Sequence, residues 1–272
     1  MALSNFDKLI DMHKKITMED LGYDDLFESN RKKLKLESFG IARVIVEYRG
    51  AYKIRNEKGE YLAKITGKQM FNASSQEDYP AVGDWVAMTD LDGEHATIHN
   101  ILPRKTIIKR KHSDKSRTGG KNDIQIIATN IDVAFIVEST DRDFSLNRFE
   151  RYFAIANNGG VKSVIILNKI DLIAKEELDS KLAEIKNRLN EVEIVPTSSV
   201  NKEGLQELKK YIKKRKTYCF LGSSGVGKSS LINKLLGEDI IKTENISLRT
   251  GRGKHATTAR EIYFLEILSR DK

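Results

Sequence analysis

Cysteine is nearly absent from this 272-residue sequence. Cys219 stands alone, which excludes a disulfide or a cysteine-rich zinc site within these residues. No apolar run approaches the roughly 20 residues needed to cross a bilayer, and the opening MALSNFDKLIDMHKK lacks the apolar segment of a secretory signal. The expectation is a protein of the reducing cytoplasm with no membrane partner. Acidic residues are scarce in two stretches. Residues 104–121 hold Arg104, Lys105, Lys109, Arg110, Lys111, Lys115, Arg117 and Lys121 against Asp114 alone, and residues 209–216 hold six Lys or Arg with no acid. With a net charge of +8, these stretches read either as solvated surface or as the footprint of a polyanionic partner. What is present, 39% hydrophobic and 32% charged residues, describes a globular chain long enough for two domains with separate cores.

The hydrophobic pattern changes along the chain. Residues 1–36 read as one or two amphipathic helices with a basic end, an N-terminal helical extension. From 37 to 110 the runs IARVIVEY (41–48), AYKIR (51–55), YLAKIT (61–66), DWVAM (84–88) and HATIHNI (95–101) alternate and are broken by Gly-bearing turns. Five short strands with little helix between them suggest a small closed barrel, foremost an oligonucleotide-binding (OB) fold, with an SH3-like barrel as competitor. Trp85, Tyr48, Tyr52 and Tyr61 are core or stacking candidates. Residues 111–125 read as a basic, glycine-containing linker. From 126 to 272 the rhythm becomes strand–helix–strand: VAFIVES (133–139), SVIILN (163–168), VEIVP (192–196) and YCFLG (218–222) alternate with helical stretches near 146–157, 175–190 and 204–215. That is the pattern of an α/β unit with a parallel sheet covered on both faces, whose ligands bind beyond the carboxyl ends of the strands.

Two motifs fall just after such strands. Gly222-Ser223-Ser224-Gly225-Val226-Gly227-Lys228-Ser229 fits the P-loop pattern, between the strand YCFL and the helix that opens with Ser230. Its glycines let backbone N–H groups curl around phosphates, and the helix N-terminus adds a field favourable to anions. Lys228 is expected at the β- and γ-phosphates and the Ser229 hydroxyl on Mg²⁺. Asn168-Lys169-Ile170-Asp171 ends the strand SVIIL, and such a tetrapeptide distinguishes guanine from adenine: the Asp carboxylate accepts from the ring N–H and exocyclic amine of guanine. Thr197-Ser198-Ser199, one strand later, matches the short loop whose backbone N–H meets the guanine oxygen, which places Ser198 and Ser199 at the base. A chance turn at either motif, or an ATPase with an incidental NKID, is the competing reading. Gly251-Arg252-Gly253-Lys254-His255-Ala256-Thr257-Thr258 offers a threonine for the Mg²⁺ shell, or is a basic loop with incidental threonines. The base-reading motif precedes the P-loop, the reverse of ordinary GTPases, so the chain reads as a circularly permuted GTPase.

With PAVGDWVAM, NIDVAFIVEST, FSLNRFERY, NKID, GSSGVGKSSLINKLLG and GRGKHATT, the chain resembles the RsgA (YjeQ) family over nearly its whole length. The resemblance implies an OB-fold barrel followed by a permuted GTPase domain and then a zinc-binding domain. It further implies GTP hydrolysis, stimulated by the small ribosomal subunit whose maturation the family assists, and rRNA contact through the barrel, for which Lys109, Arg110 and Lys111 are the candidates. Two departures stand out. Ala256 replaces the first of two threonines usual in the family, so the metal-binding role is assigned to Thr257, with Thr258 as alternative. The family continues into Asp-x-Pro-Gly and a Cys/His zinc domain where this sequence stops at Lys272, so its zinc ligands are not among these residues. A monomeric GTPase cycling between GTP and GDP is the leading expectation. A guanine-nucleotide and RNA-binding fragment with little catalysis is the alternative.

Overall fold

The computed structural model describes residues 16–112, 123–141, 144–190, 192–237, 241 and 260–265. Asp24 opens helix α1 (Asp25–Lys33) by accepting from the Leu26 and Phe27 amides, an N-cap reinforced by Asp25 and Glu28 in the first turn. One helix is thus described where one or two were expected, and it packs on the barrel. Leu21, Phe27 and Leu36 are buried with Ile41, Trp85 and Leu102 against the barrel. Arg31, within the basic end, donates to the carbonyls of Leu36, Glu37 and Phe39.

The barrel contains β1 (Gly40–Tyr48), β2 (Ala51–Arg55), β3 (Glu60–Ile65), β4 (Trp85–Asp90) and β5 (His95–Ile101), with helix α2 (Gly67–Asn72) between β3 and β4. Its closed order is β1-β2-β3-β5-β4, with β3 and β5 parallel, the five-stranded Greek-key arrangement of an OB fold. Period-2 alternation builds it: Tyr52 and Ile54 of β2 and Tyr61 and Ala63 of β3 point inward. Trp85, Tyr52 and Tyr61 are therefore core, whereas Tyr48 is exposed.

Residues 111–125, expected as linker, begin and end in paired strands. β6 (Ile107–His112) and β7 (Asp123–Thr129) form an antiparallel ribbon. Its apolar positions Ile108, Ile126 and Ala128 are buried, and Ile108 and Ala128 pack with Ala156 and Val161, which accounts for a strand where composition alone indicated a linker.

The second sheet has the order β10-β9-β8-β11 and is parallel throughout, from β8 (Val133–Ser139), β9 (Lys162–Asn168), β10 (Ile194–Thr197) and β11 (Tyr218–Leu221). Helices α3 (Leu146–Asn158) and α4 (Lys175–Arg188) cover one face through Phe149 and Ile185. Helices α5 (Leu205–Lys210) and α6 (Lys228–Leu236) cover the other through Leu205, Leu208, Leu231 and Leu235. Helix α5 is shorter than the expected 204–215. The Tyr218 hydroxyl accepts from the Lys213 amide at 2.8 Å and donates to the Tyr211 carbonyl at 2.7 Å, drawing the chain away from helical bonding.

Barrel and sheet meet at a dense polar knot. Gly83, at φ +101°, lies so close to Thr129 that an added Cβ would sit 2.0 Å from its carbonyl oxygen. Arg43 of β1 is buried and donates to the carbonyls of Leu21, Asn130 and Gly83 at 2.5, 3.2 and 3.4 Å. Burial pulls its guanidinium down to about 10, opposed by Asp132 and Asp84. Beside it, Asp84 forms a bidentate ion pair with Arg104, whose nitrogens also donate to the Glu77 and Tyr79 carbonyls.

Residues 260–265 run along the barrel. The Ile262 amide donates to the Ile45 carbonyl at 2.9 Å, and Phe264 lies beneath the Arg55 guanidinium, 4.6 Å away. A register shift in β1 between Val44 and Val46 skips Ile45 in the pairing with β2 and leaves its carbonyl for Ile262.

Candidate nucleotide site

Because the four strands of the second sheet are parallel, their carboxyl ends gather on one edge, and both expected motifs lie there. At the end of β9, Asn168 is buried and ties three segments together. Its Nδ2 donates to the Val226 carbonyl of the glycine-rich loop at 2.9 Å, and its Oδ1 accepts from Thr197 Oγ1 at 3.0 Å. The NKID segment, the glycine-rich loop and the end of β10 are thereby held in register by one amide side chain. Gly227 permits this approach: a Cβ there would lie 2.3 Å from Asn168 Nδ2, and its φ of +95° already disfavours other residues.

Lys169 follows in the left-handed region at φ 64° and starts a short 3-10 turn over Ile170–Leu172. Ile170 is buried and Asp171 is exposed. Asp171 Oδ1 accepts from Ser198 Oγ at 2.5 Å, while Ser198 Oγ accepts from the amides of Val200 and Asn201. Ser198 is completely buried, and Ser199 Oγ is buried without a hydrogen-bond partner among the described residues. The loop after β10 owes its close turn to Gly204, whose hypothetical Cβ would strike the Pro196 carbonyl at 1.9 Å.

After β11 the chain turns through Gly222, Ser223, Ser224, Gly225, Val226 and Gly227, with Gly225 and Gly227 at positive φ. Val226 is buried against the sheet, anchoring the loop, and Gly227 caps α6, whose first turn comprises Lys228, Ser229 and Ser230. Lys228 Nζ folds back over the loop and donates to the carbonyls of Gly222 at 3.0 Å and Ser223 at 2.6 Å. Burial lowers its pKa below the usual lysine value, and the Glu138 carboxylate opposes that shift. Glu138, at the end of β8, is itself buried and paired with Arg148 of α3 at 3.2 Å.

Sequence reading missed the contribution of β8. Thr140 Oγ1 donates to the Lys169 carbonyl at 2.6 Å, and Asp141 Oδ2 meets Lys169 Nζ at 2.7 Å. The available signal was position: a polar Glu-Ser-Thr-Asp run directly follows an apolar strand that neighbours β9.

Among the described residues no cluster of His, Cys, Asp and Glu is fit to hold a metal unaided. A magnesium ion bound mainly through phosphate and water oxygens needs fewer protein ligands, and the Ser229 hydroxyl, in the first turn of α6, suits that hard cation. Thr257 and the rest of the GRGKHATT segment lie outside the described residues.

The ribbon carries two of the three expected RNA contacts as described side chains. Lys109 Nζ pairs with Glu77 at 2.9 Å and Arg110 Nε donates to Gln125 at 3.0 Å, both residues being exposed. Lys111 occupies a position in β6, and its side chain is outside the described set. Arg104 and Lys105 are structural, the first in the Asp84 pair and the second paired to Asp24 over the Phe27 ring.

The family model described as RsgA GTPase matches residues 101–268. A small ribosomal subunit biogenesis GTPase RsgA 2 of Lactiplantibacillus plantarum is 39% identical over 222 residues, covering 82% of this chain and 61% of the relative. A small ribosomal subunit biogenesis GTPase RsgA 1 of Bacteroides thetaiotaomicron is 35% identical over 246 residues, 90% of this chain and 67% of the relative. The chain thus spans about two thirds or less of the length of these relatives. Among solved structures, the crystal structure of YjeQ from Thermotoga maritima aligns with a TM-score of 0.55 at 28% identity, over 71% of this chain and 63% of that one. YloQ, described as a circularly permuted GTPase, aligns with a TM-score of 0.51 at 19% identity over 73% of this chain and 64% of that one, a likeness of fold. On the match over residues 101–268 and the identity to full relatives, the chain belongs to the RsgA GTPase family.

Proposed function

We propose that this chain binds guanine nucleotides at the sheet edge described above and hydrolyses GTP in the maturation of the small ribosomal subunit. The observation that carries the reading is the 2.9 Å bond from Asn168 Nδ2 to the Val226 carbonyl, which joins the NKID strand end to the glycine-rich loop. In this reading Asp171, steadied by Ser198, accepts from the guanine edge, Lys169 covers a face of the base, and the loop through Ser198 and Ser199 closes the pocket. The amides of residues 222–230 cradle the phosphates, and Lys228 exchanges its loop carbonyls for phosphate oxygens. Ser229, with Thr257 or Thr258, would hold Mg²⁺, which would supply charge neutralisation at the phosphates. Lys228 adds positive charge there; burial lowers its pKa and the Glu138 carboxylate opposes that shift.

The barrel and the basic ribbon with Lys109, Arg110 and Lys111 provide the rRNA-facing surface, and the protein works as a monomer in the cytoplasm. We take residues 37–110 as the barrel unit and 126–272 as the nucleotide unit. The test is GTP turnover with and without purified small subunits, alongside calorimetry of GDP against ADP. Turnover stimulated by subunits and a preference for GDP are expected; equal GDP and ADP affinities would remove the base assignment. A second reading is guanine-nucleotide and RNA binding with little turnover. It predicts GDP selectivity without stimulation.

A further inference from the structure

We infer that Thr140 and Asp141, the two residues just beyond β8, are positioning residues for nucleotide-base binding and act through Lys169. The inference rests on the reading of the sheet edge as a guanine pocket and adds residues outside NKID and the glycine-rich loop. The register of the sheet pairs Ser139 with Asn168, so the residues that follow each strand face one another. There the backbone is clasped first: the Thr140 amide donates to the Asn168 carbonyl at 3.0 Å, and Thr140 Oγ1 to the Lys169 carbonyl at 2.6 Å. These two bonds hold Lys169 in a left-handed conformation, φ 64° and ψ 36°, that a lysine seldom adopts.

The side chain is clasped second. Asp141 Oδ2 meets Lys169 Nζ at 2.7 Å, and Asp141 Oδ1 accepts from Ser139 Oγ at 2.9 Å. The Asp141 carbonyl in turn accepts from the Phe144 amide at 2.9 Å, closing the turn that presents the carboxylate. The Lys169 and Asp141 side chains are 19% and 29% exposed, so solvent screens this pair less than an ion pair on open surface. A lysine stem loses much rotamer freedom when it is ordered. The clasp orders it before ligand arrives, so the base meets a wall already in place. Such a wall touches the flat face of a purine and not its hydrogen-bonding edge. Loss of the clasp should therefore weaken every purine nucleotide accepted at the site by one common factor, in contrast to changes at Asp171, which alter the ranking of bases.

The experiment measures GDP and IDP affinities of the full chain, its D141A and D141N variants, and K169A alone and combined with D141A. IDP lacks the exocyclic amine, so the GDP:IDP ratio reports the edge. D141A and D141N are expected to bind both nucleotides about three- to tenfold more weakly with the ratio unchanged, the size of a half-shielded charged hydrogen bond. D141A in the K169A background should cost nothing further. T140V should show a smaller loss in the same direction. Circular dichroism verifies folding, and D141N, which preserves side-chain volume, supplies the result if D141A unfolds. Unchanged affinity, a changed GDP:IDP ratio, or additive losses in D141A/K169A would each overturn the clasp while leaving the guanine pocket standing. A wild-type chain that binds ADP as well as GDP would overturn the guanine pocket and the clasp together.

Discussion

Single side chains decide whether the two halves of the nucleotide site stay in register. Asn168 is the clearest case, because its amide satisfies both a carbonyl of the glycine-rich loop and the Thr197 hydroxyl in a fully buried setting. Gly227→Ala would press a methyl group against that amide from a backbone at φ +95°. The variant should bind GDP more weakly by about 1–3 kcal/mol, the strain of a misfit residue at a constrained position, and titration calorimetry reads this directly. Asp171→Asn addresses chemistry more than geometry. An amide cannot accept from both guanine donors, so GDP affinity should fall by about 1–3 kcal/mol, the worth of a bidentate contact to a base edge. Xanthine nucleotides, which present an acceptor to the new amide donor, should gain in relative affinity. If the variant keeps the wild-type preference for GDP over XDP, Asp171 does not read the base.

At the scale of elements, what the sequence disclosed depended on how local the determining forces are. The strands of the barrel and the parallel sheet were readable because burial imposes period 2 on half-covered strands and continuous apolarity on doubly covered ones, as in Tyr52/Ile54 and residues 164–167. Both nucleotide motifs were readable because each carries its chemistry in contiguous residues. The Thr140–Asp141 clasp was not, since it exists only through the register of β8 on β9. The strands β6 and β7 were obscured by a basic composition, although Ile108 and Ile126 bury normally. The contracted α5 depended on a hydroxyl seven residues from its partner carbonyl, beyond the reach of helical periodicity.

Lys228 gives the element-scale test of the glycine-rich loop. Lys228→Ala should abolish tight GDP binding yet preserve the barrel, whose strand β4 carries Trp85, the sole tryptophan of the chain, buried against α1. Its fluorescence should be unchanged; undiminished GDP affinity would reduce the loop to a structural turn. The ribbon is tested by salt. Neutralising Lys109, Arg110 and Lys111 together should flatten the slope of log K against log salt for small subunits, by about 0.7–0.9 for each phosphate that the protein no longer neutralises. A slope equal to wild type would leave these residues as solvated surface.

For the molecule as a whole, the central question is what makes a barrel and a nucleotide-binding sheet behave as one body. The contact between them is polar and fully buried: Arg43 reaches Leu21 before the barrel, Gly83 within it and Asn130 at the start of the sheet unit. Asn130 answers by donating from Nδ2 to the Gly83 carbonyl at 2.9 Å and accepting from the Lys105 amide at 2.8 Å. A buried guanidinium is costly to desolvate, and the downward pull of burial on its pKa reflects that cost. It is tolerated because three carbonyls and the face of Trp85, 5.6 Å away, receive it. Arg43→Met preserves bulk but strands those carbonyls, so stability should fall by about 2–4 kcal/mol, given roughly 1–3 kcal/mol for each buried group left unsatisfied and partial relaxation. The more telling expectation concerns cooperativity. In wild type, urea unfolding followed by Trp85 fluorescence, which reports the barrel, should coincide with unfolding followed by loss of bound fluorescent GDP, which reports the sheet edge. In Arg43→Met the barrel curve should separate from the nucleotide curve, since the bonds that make opening of one unit expose the other are gone. Coincident curves in the variant, shifted together or not at all, would show that the apolar packing around the knot holds the two units without Arg43.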